Sequence, residues 1–181
     1  MKLNEALAHP EYVFGPETKI IDYDRNDFIL APEKTEKYLY YVISGAVGSF
    51  LSHNAEEICC GLHTAGHFFS EYSSFISQKV SRTYSKALQP ARIAKVAHEV
   101  LQQAYKVSIA HQERGRKISE RLFIILQERN LDLLTLTAEE RYLKFIENRP
   151  EEALQIPLKY IASYLGMTPV SLSRIRKRLI S

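Results

Sequence analysis

The sequence predicts an α+β protein: an N-terminal double-stranded β-helix (jelly roll), then a long helix, then a compact all-α domain. Three observations predict it. Short apolar runs punctuated by turn residues extend from about Lys19 to Val96. A helical pattern without proline runs from His98 to about Leu134. Short apolar-periodic segments with helix-start signals follow it. The corresponding boundaries are 1–97, 98–134 and 135–181.

In the first part, YLYYVI (Tyr38 to Ile43) and AVGSFLS read as strands joined at Ser44-Gly45. HNAE is a second turn, EICCGLH a third strand and Thr64-Ala65-Gly66 the next bend. KALQPARIAKV reads as two strands interrupted at Pro90. Strands this short and this regularly spaced suit two sheets folded over one another. The two cysteines, Cys59 and Cys60, are adjacent, so they neither staple the fold nor form a CxxC pair. In a strand they point to opposite faces.

Within the long helix, Ile118, Leu122 and Ile125 form a seam of 4–3 spacing. It can pack on the β-domain or pair with a second copy of the chain, and the spacing fits both. Gly115 interrupts the pattern at about 1 kcal/mol unless another group approaches closely there. Beyond the helix, Thr137-Ala-Glu-Glu140 is a capping box opening AEERYLKFIENR, which Pro150 closes.

The ending IASYLGMTPVSLSRIRKRLIS carries the most specific pattern. Counting Leu158 as the first position of a helix-turn-helix, Ile161, Leu165, Met167, Leu172 and Ile175 fall where the small core is needed. Ala162 sits where a second helix crosses closely, and Gly166 where the turn needs a left-handed backbone. Thr168 and Pro169 then start the second helix as N-cap and N1. On that helix Leu172, Ile175 and Leu179 share one face, and Val170, Ser173, Arg174 and Lys177 the other, with Arg178 on its flank.

Charge agrees with this pattern. The chain has 24 Lys and Arg against 21 Asp and Glu, a net +3. Five cations and no acid lie in residues 158–181, which leaves 19 cations against 21 acids elsewhere. Such a terminal field suits a polyanionic partner, and the helix geometry suits the major groove of double-stranded DNA. Arg174 is the candidate for a bidentate contact to guanine. Lys159, Arg176 and Arg178 are candidates for phosphates, and Thr168 and Ser171 complete the set at the start of the helix.

Taken in this order, YLYYVISGAV, LTAEERYLKFIENRP and IPLKYIASYLGMTPVSLSRIRKRL resemble the Crp/Fnr family of bacterial transcription regulators. The resemblance covers nearly the whole chain, from about Ile20 to Leu179. It implies a homodimer formed along the long helix through Ile118, Leu122 and Ile125, with two recognition helices one DNA turn apart. It also implies a sensor domain descended from cyclic-nucleotide binders, and RNA polymerase as a candidate partner. In the family's phosphate cassette, Glu71 and the pair Arg82-Thr83 fall at matching positions. Ser70 and Ser73 replace its glycines, and their side chains crowd the close backbone approach to a phosphate.

Two further departures concern DNA. Val170 stands where the family commonly carries an acid, so the expected contact there is apolar, for instance to a thymine methyl. Only Ile180 and Ser181 follow Leu179, too few for the family's β-hairpin wing. The expectation is thus a DNA-binding regulator that works without cyclic AMP. The alternatives are a regulator responding to a cyclic nucleotide or other small anion in the β-roll, and a protein-interaction module that does not bind DNA.

No enzyme, cofactor or metal is expected. His63 and His67, with Glu71 four residues on, are the sole metal-like grouping, and Gly66 argues against a helix presenting them together. No GxSxG elbow or P-loop is present. No apolar run approaches the ~20 residues of a membrane span, and MKLNEALAHPEY is too polar for a secretory signal, so the cytoplasm is the expected location.

Overall fold

The computed structural model describes Gly15 and residues 17–54 and 56–180. The polar opening read above, Ala55 of the HNAE turn and Ser181 lie outside the described residues. Eight strands come first: β1 (Lys19–Tyr23), β2 (Phe28–Leu30), β3 (Tyr38–Ser44), β4 (Ala46–His53), β5 (Glu56–Thr64), β6 (Phe68–Phe69), β7 (Thr83–Ala87) and β8 (Ala91–Ala97). A short helix, α1 (Tyr72–Ser77), interrupts them between β6 and β7. They form two antiparallel four-stranded sheets, ordered β1-β8-β3-β6 and β2-β7-β4-β5.

Side-chain alternation along the strands sorts residues into three cores. Tyr40, Val42, Val47, Phe69, Ala87 and Ile93 fill one of them. Leu39, Tyr41, Phe68 and Val96, on the opposite parity, meet Phe75 of α1 and the helices that follow. The third core joins Phe50, Cys59, Leu62 and Tyr84 of the second sheet to the C-terminal helices.

The helical pattern from His98 is broken once, where the sequence predicts continuity. α2 (His98–Val107) ends at Ser108, whose extended backbone (φ −142°, ψ 114°) separates it from α3 (Ile109–Thr135). The Ser108 side chain caps the new helix by accepting from the His111 N–H at 3.3 Å. The chain turns here so that α2 lies beside α3. Gly115 permits it: a Cβ at that position would stand 2.3 Å from the Tyr105 hydroxyl. The approach that the sequence left open is therefore made by this chain's own tyrosine.

The Ile118 seam also turns inward. Ile118 is 7% exposed, and with Leu122 it packs against Leu39, Tyr41 and Phe68 of the same chain. The in-chain alternative thus holds for these two residues, and Ile125 lines a cleft described below. After α3 come α4 (Ala138–Asn148), α5 (Pro150–Gln155), α6 (Leu158–Tyr164) and α7 (Pro169–Ile180). The capping box is formed: Thr137 Oγ1 accepts from the Glu140 N–H, and Glu140 accepts from the Thr137 N–H at 2.8 Å. Among the described residues no helix is long and apolar enough to cross a membrane.

Candidate nucleic-acid interface and sensor site

The helix-turn-helix is α6 and α7. Gly166 adopts φ +68°, and a Cβ there would stand 2.9 Å from Leu133 Cδ2 of α3, so backbone and neighbour both exclude a side chain. The Met167 N–H donates to the Ala162 carbonyl at 3.0 Å and closes the turn. Ala162 is fully buried, and Leu172 and Ile175 beside it are 0% and 5% exposed. Thr168 Oγ1 accepts from the Ser171 N–H at 3.1 Å, and Pro169 opens the helix where no donor is lost. The opposite face presents Val170, Arg174 and Lys177 to solvent with Ser173 half-buried, while Arg176 is exposed on the flank next to Leu172 and Ser171 is half-buried next to Ile175.

Lys159 and Arg178 of the predicted set make contacts inside the chain. Lys159 Nζ lies 4.6 Å over the Tyr160 ring, and its charge helps to lower the pKa of Glu57 of β5. Burial opposes ionisation of Glu57, but hydrogen bonds from Lys86 and Tyr84 outweigh it and hold the carboxyl below its ordinary value. Arg178 is ion-paired with Glu139 of α4.

In the β-domain, Glu71 stands immediately before α1, 9% exposed, and its Oε2 accepts from the Thr83 hydroxyl. Burial raises its pKa in spite of hydrogen bonds from Thr83 and Ser49. Ser70 Oγ donates to the Tyr38 carbonyl at 3.0 Å, while Ser73 and Arg82 are exposed. Among the described residues Glu71 and Arg82 form no ion pair.

A second carboxylate, absent from the sequence-based set, lies beside Glu71. Glu36 is fully buried, with Oε1 accepting from the Tyr38 N–H at 2.9 Å and the Tyr40 hydroxyl at 3.0 Å. Burial, joined by the charge of Glu71, pushes its pKa up to about 7 against those hydrogen bonds. The signal was present in the sequence, since Glu36, Tyr38, Tyr40 and Val42 alternate onto one inward face. Glu36 Oε2, Glu71 Oε1 and the hydroxyl of Ser85 are buried without a hydrogen-bond partner. The site therefore holds two carboxyls, and among the described residues neither is ion-paired with Arg82.

The histidines do not converge. His63 stacks on Phe69 at 4.8 Å with Nε2 3.2 Å from Ser49 Oγ, whereas His67 Nδ1 accepts from the Thr64 N–H at 3.1 Å. Burial pushes their pKa values down to about 3 and about 4, so both rings are neutral. Burial likewise pushes Cys59 and Cys60 up to about 12 and about 11, which keeps them as unreactive thiols.

Residues 20–108 match the cyclic nucleotide-binding domain family. The chain carries a cyclic nucleotide-binding domain. No curated protein is similar enough in sequence to match the chain. Its fold is shared with solved structures. FixK2 from Bradyrhizobium japonicum is 21% identical, with 90% of this chain and 84% of that one aligned at a TM-score of 0.79. The c-di-GMP-responsive global regulator CLP of Xanthomonas campestris is 19% identical over 97% of this chain and 91% of its own, at 0.69. The catabolite activator protein of Thermus thermophilus is 19% identical over 91% and 79%, at 0.55. A cyclic nucleotide-binding domain followed by a long helix and a helix-turn-helix is the build of Crp/Fnr-type transcription regulators.

Proposed function

We propose that this protein is a sequence-specific DNA-binding transcription regulator that acts as a homodimer on a pseudo-palindromic site and does not need cyclic AMP. One observation carries the reading: α7 buries Leu172 and Ile175 completely or nearly so and leaves Val170, Arg174, Arg176 and Lys177 exposed on a formed helix-turn-helix. That is a helix held from behind with its reading face exposed to solvent, the arrangement that suits the major groove. Arg174 is the base-reading cation, and Arg176 and Lys177 serve the phosphates. Lys159 and Arg178 contribute mainly through their contacts with Tyr160 and Glu139.

The dimer forms on the outer face of α3. Phe123, Ile124, Leu126, Leu131 and Leu134 are each at least half exposed, from 50% to 74%. At 100° per residue they share an arc of about 160°, opposite Ile118 and Leu122. Contiguous apolar exposure on this scale marks an interface, and a second α3 offers the matching surface. Two-fold pairing there sets two recognition helices on half-sites ~10–10.5 bp apart.

The sensor site supports independence from cyclic nucleotides, because Glu71 is bound to Thr83, Arg82 faces solvent and Glu36 adds a buried carboxyl. Selection of duplexes from a random library by the purified protein, without added ligand, tests the reading. Enrichment of a two-fold motif is expected. Failure to enrich without ligand, followed by enrichment with cyclic AMP, would refute the independence. Failure under both conditions would refute DNA reading.

A further inference from the structure

A cleft of about 590 Å³ opens where the sensor domain, α3 and the helix-turn-helix domain meet. Its walls include the Thr64–His67 turn, Arg129 of α3, Arg141 and Asn148 of α4, Arg149 between α4 and α5, and Tyr164 of α6. The size is that of a small-molecule site, and such sites concentrate at domain junctions.

Three guanidiniums in this cleft are bound to neutral groups. Arg129 donates to the Tyr164 carbonyl at 3.0 Å and lies 4.7 Å over the Tyr164 ring. Arg149 lies 5.7 Å from the centre of the same ring and donates to the Leu62 carbonyl at 3.4 Å. Arg141 donates to the carbonyls of Leu165 at 2.7 Å and Leu136 at 2.5 Å. Among the described residues none of the three is ion-paired with a carboxylate. Arg129 Nε is buried without any partner.

The acids of the cleft are differently engaged. Asp132 pairs with Lys144 at 2.7 Å, and buried Glu152 accepts from Thr64 Oγ1 at 2.9 Å. Glu128 and Glu151 lie exposed on the lining. His67 is neutral and adds no charge of either sign. Orienting arginines on carbonyls and on a ring face fixes their geometry while leaving their charge to be met by something else.

We propose that this cleft is a binding site for a small multiply charged anion bearing a phosphate group, held by Arg129, Arg149 and Arg141. Its walls come from all three parts of the chain, so occupancy ties the sensor turn to the helix-turn-helix. Binding at the cleft stands independently of the DNA reading proposed above; only its consequence for DNA affinity rests on that reading.

Isothermal titration of the full chain with inorganic pyrophosphate tests the site. One saturable site per chain is expected, weakened about tenfold or more in Arg129→Gln and in Arg149→Gln, which each remove a charge-assisted donor. Asn148→Asp keeps an exposed position and adds a negative charge, so it should weaken binding while leaving the circular dichroism spectrum unchanged. Arg174→Ala on the recognition helix should bind as the parent does. The proposal is overturned if titration to about 10 mM shows no saturation. It is equally overturned if Arg174→Ala removes the binding, which would place the anion on α7, or if folded Asn148→Asp binds as the parent does. Duplex selection reads the DNA function separately, so either reading can fail alone.

Discussion

The buried carboxyl of Glu36 makes stability depend on pH in a calculable direction. Its folded pKa is about 7 against an ordinary 4.5. Between those values the folded state binds more protons than the unfolded one, so this group's contribution to stability falls as pH rises through the window. The whole displacement is worth about 3 kcal/mol, at about 1.36 kcal/mol per pH unit. Glu36→Gln keeps an acceptor for the Tyr38 N–H and the Tyr40 hydroxyl and removes the charge that burial and Glu71 oppose. The groups that share its surroundings are Tyr23, Tyr38, Tyr40, Glu71 and Lys95, and all remain in the variant. Urea unfolding of both proteins at pH 5, 6, 7 and 8 therefore isolates Glu36 as a difference. We expect the variant to gain on the parent as pH rises, reaching an advantage of about 3 kcal/mol at pH 8. Parallel curves for the two proteins would show that Glu36 ionises normally, and the acidic character assigned to the sensor site would fall with it.

Three further outcomes are expected. Gly166→Ala combines a backbone of φ +68° with a Cβ 2.9 Å from Leu133, so it should destabilise by at least about 1 kcal/mol in thermal unfolding and weaken DNA binding. Arg174→Ala should cost about 1–3 kcal/mol in affinity and relax preference at one base pair; uniform weakening over all sequences would make it a phosphate contact. Phe123→Asp with Leu134→Asp should give a folded monomer by sedimentation velocity, because both side chains are exposed within one chain. A dimer that survived both changes would refute pairing through the outer face of α3.

The helix-turn-helix was the most legible part, because its constraints are local. Gly166, Ala162, Thr168 and Pro169 each answer a steric demand within a few residues along the chain, and the structure places them as read. The break at Ser108 was not legible: a serine continues a helix or caps one, and the choice is made by Tyr105 reaching Gly115, a tertiary contact. The seam illustrates the same limit. A 4–3 spacing states that Ile118 and Leu122 are covered, not by which surface, and the sheet of the same chain covers them. Glu36 escaped notice for a different reason. Strand alternation marked it as inward, but a charged residue at a strand's edge is ordinarily solvated, and only the buried geometry shows otherwise.

The third core bears on how a signal could reach α7. Phe50 meets Tyr160 edge to face at 5.4 Å, and the Cys59 N–H donates to Ser163 Oγ at 2.8 Å, so α6 is built into the second sheet. Swinging the helix-turn-helix away as a rigid body would expose Tyr160 and Ile161, which are 8% and 1% exposed, and would leave the Cys59 N–H without its acceptor. Exposing two such side chains costs about 1.5–3 kcal/mol each. A small differential affinity of any effector for two domain arrangements could not overcome that. α3 touches both parts: Ile118 and Leu122 pack on the first sheet, while Arg129 and Leu133 reach the helix-turn-helix through a hydrogen bond at Tyr164 and a contact at Gly166. In the proposed dimer the α3 pairing face and the cleft arginine Arg129 lie on the same helix, so an anion in the cleft and the partner subunit would act on one element.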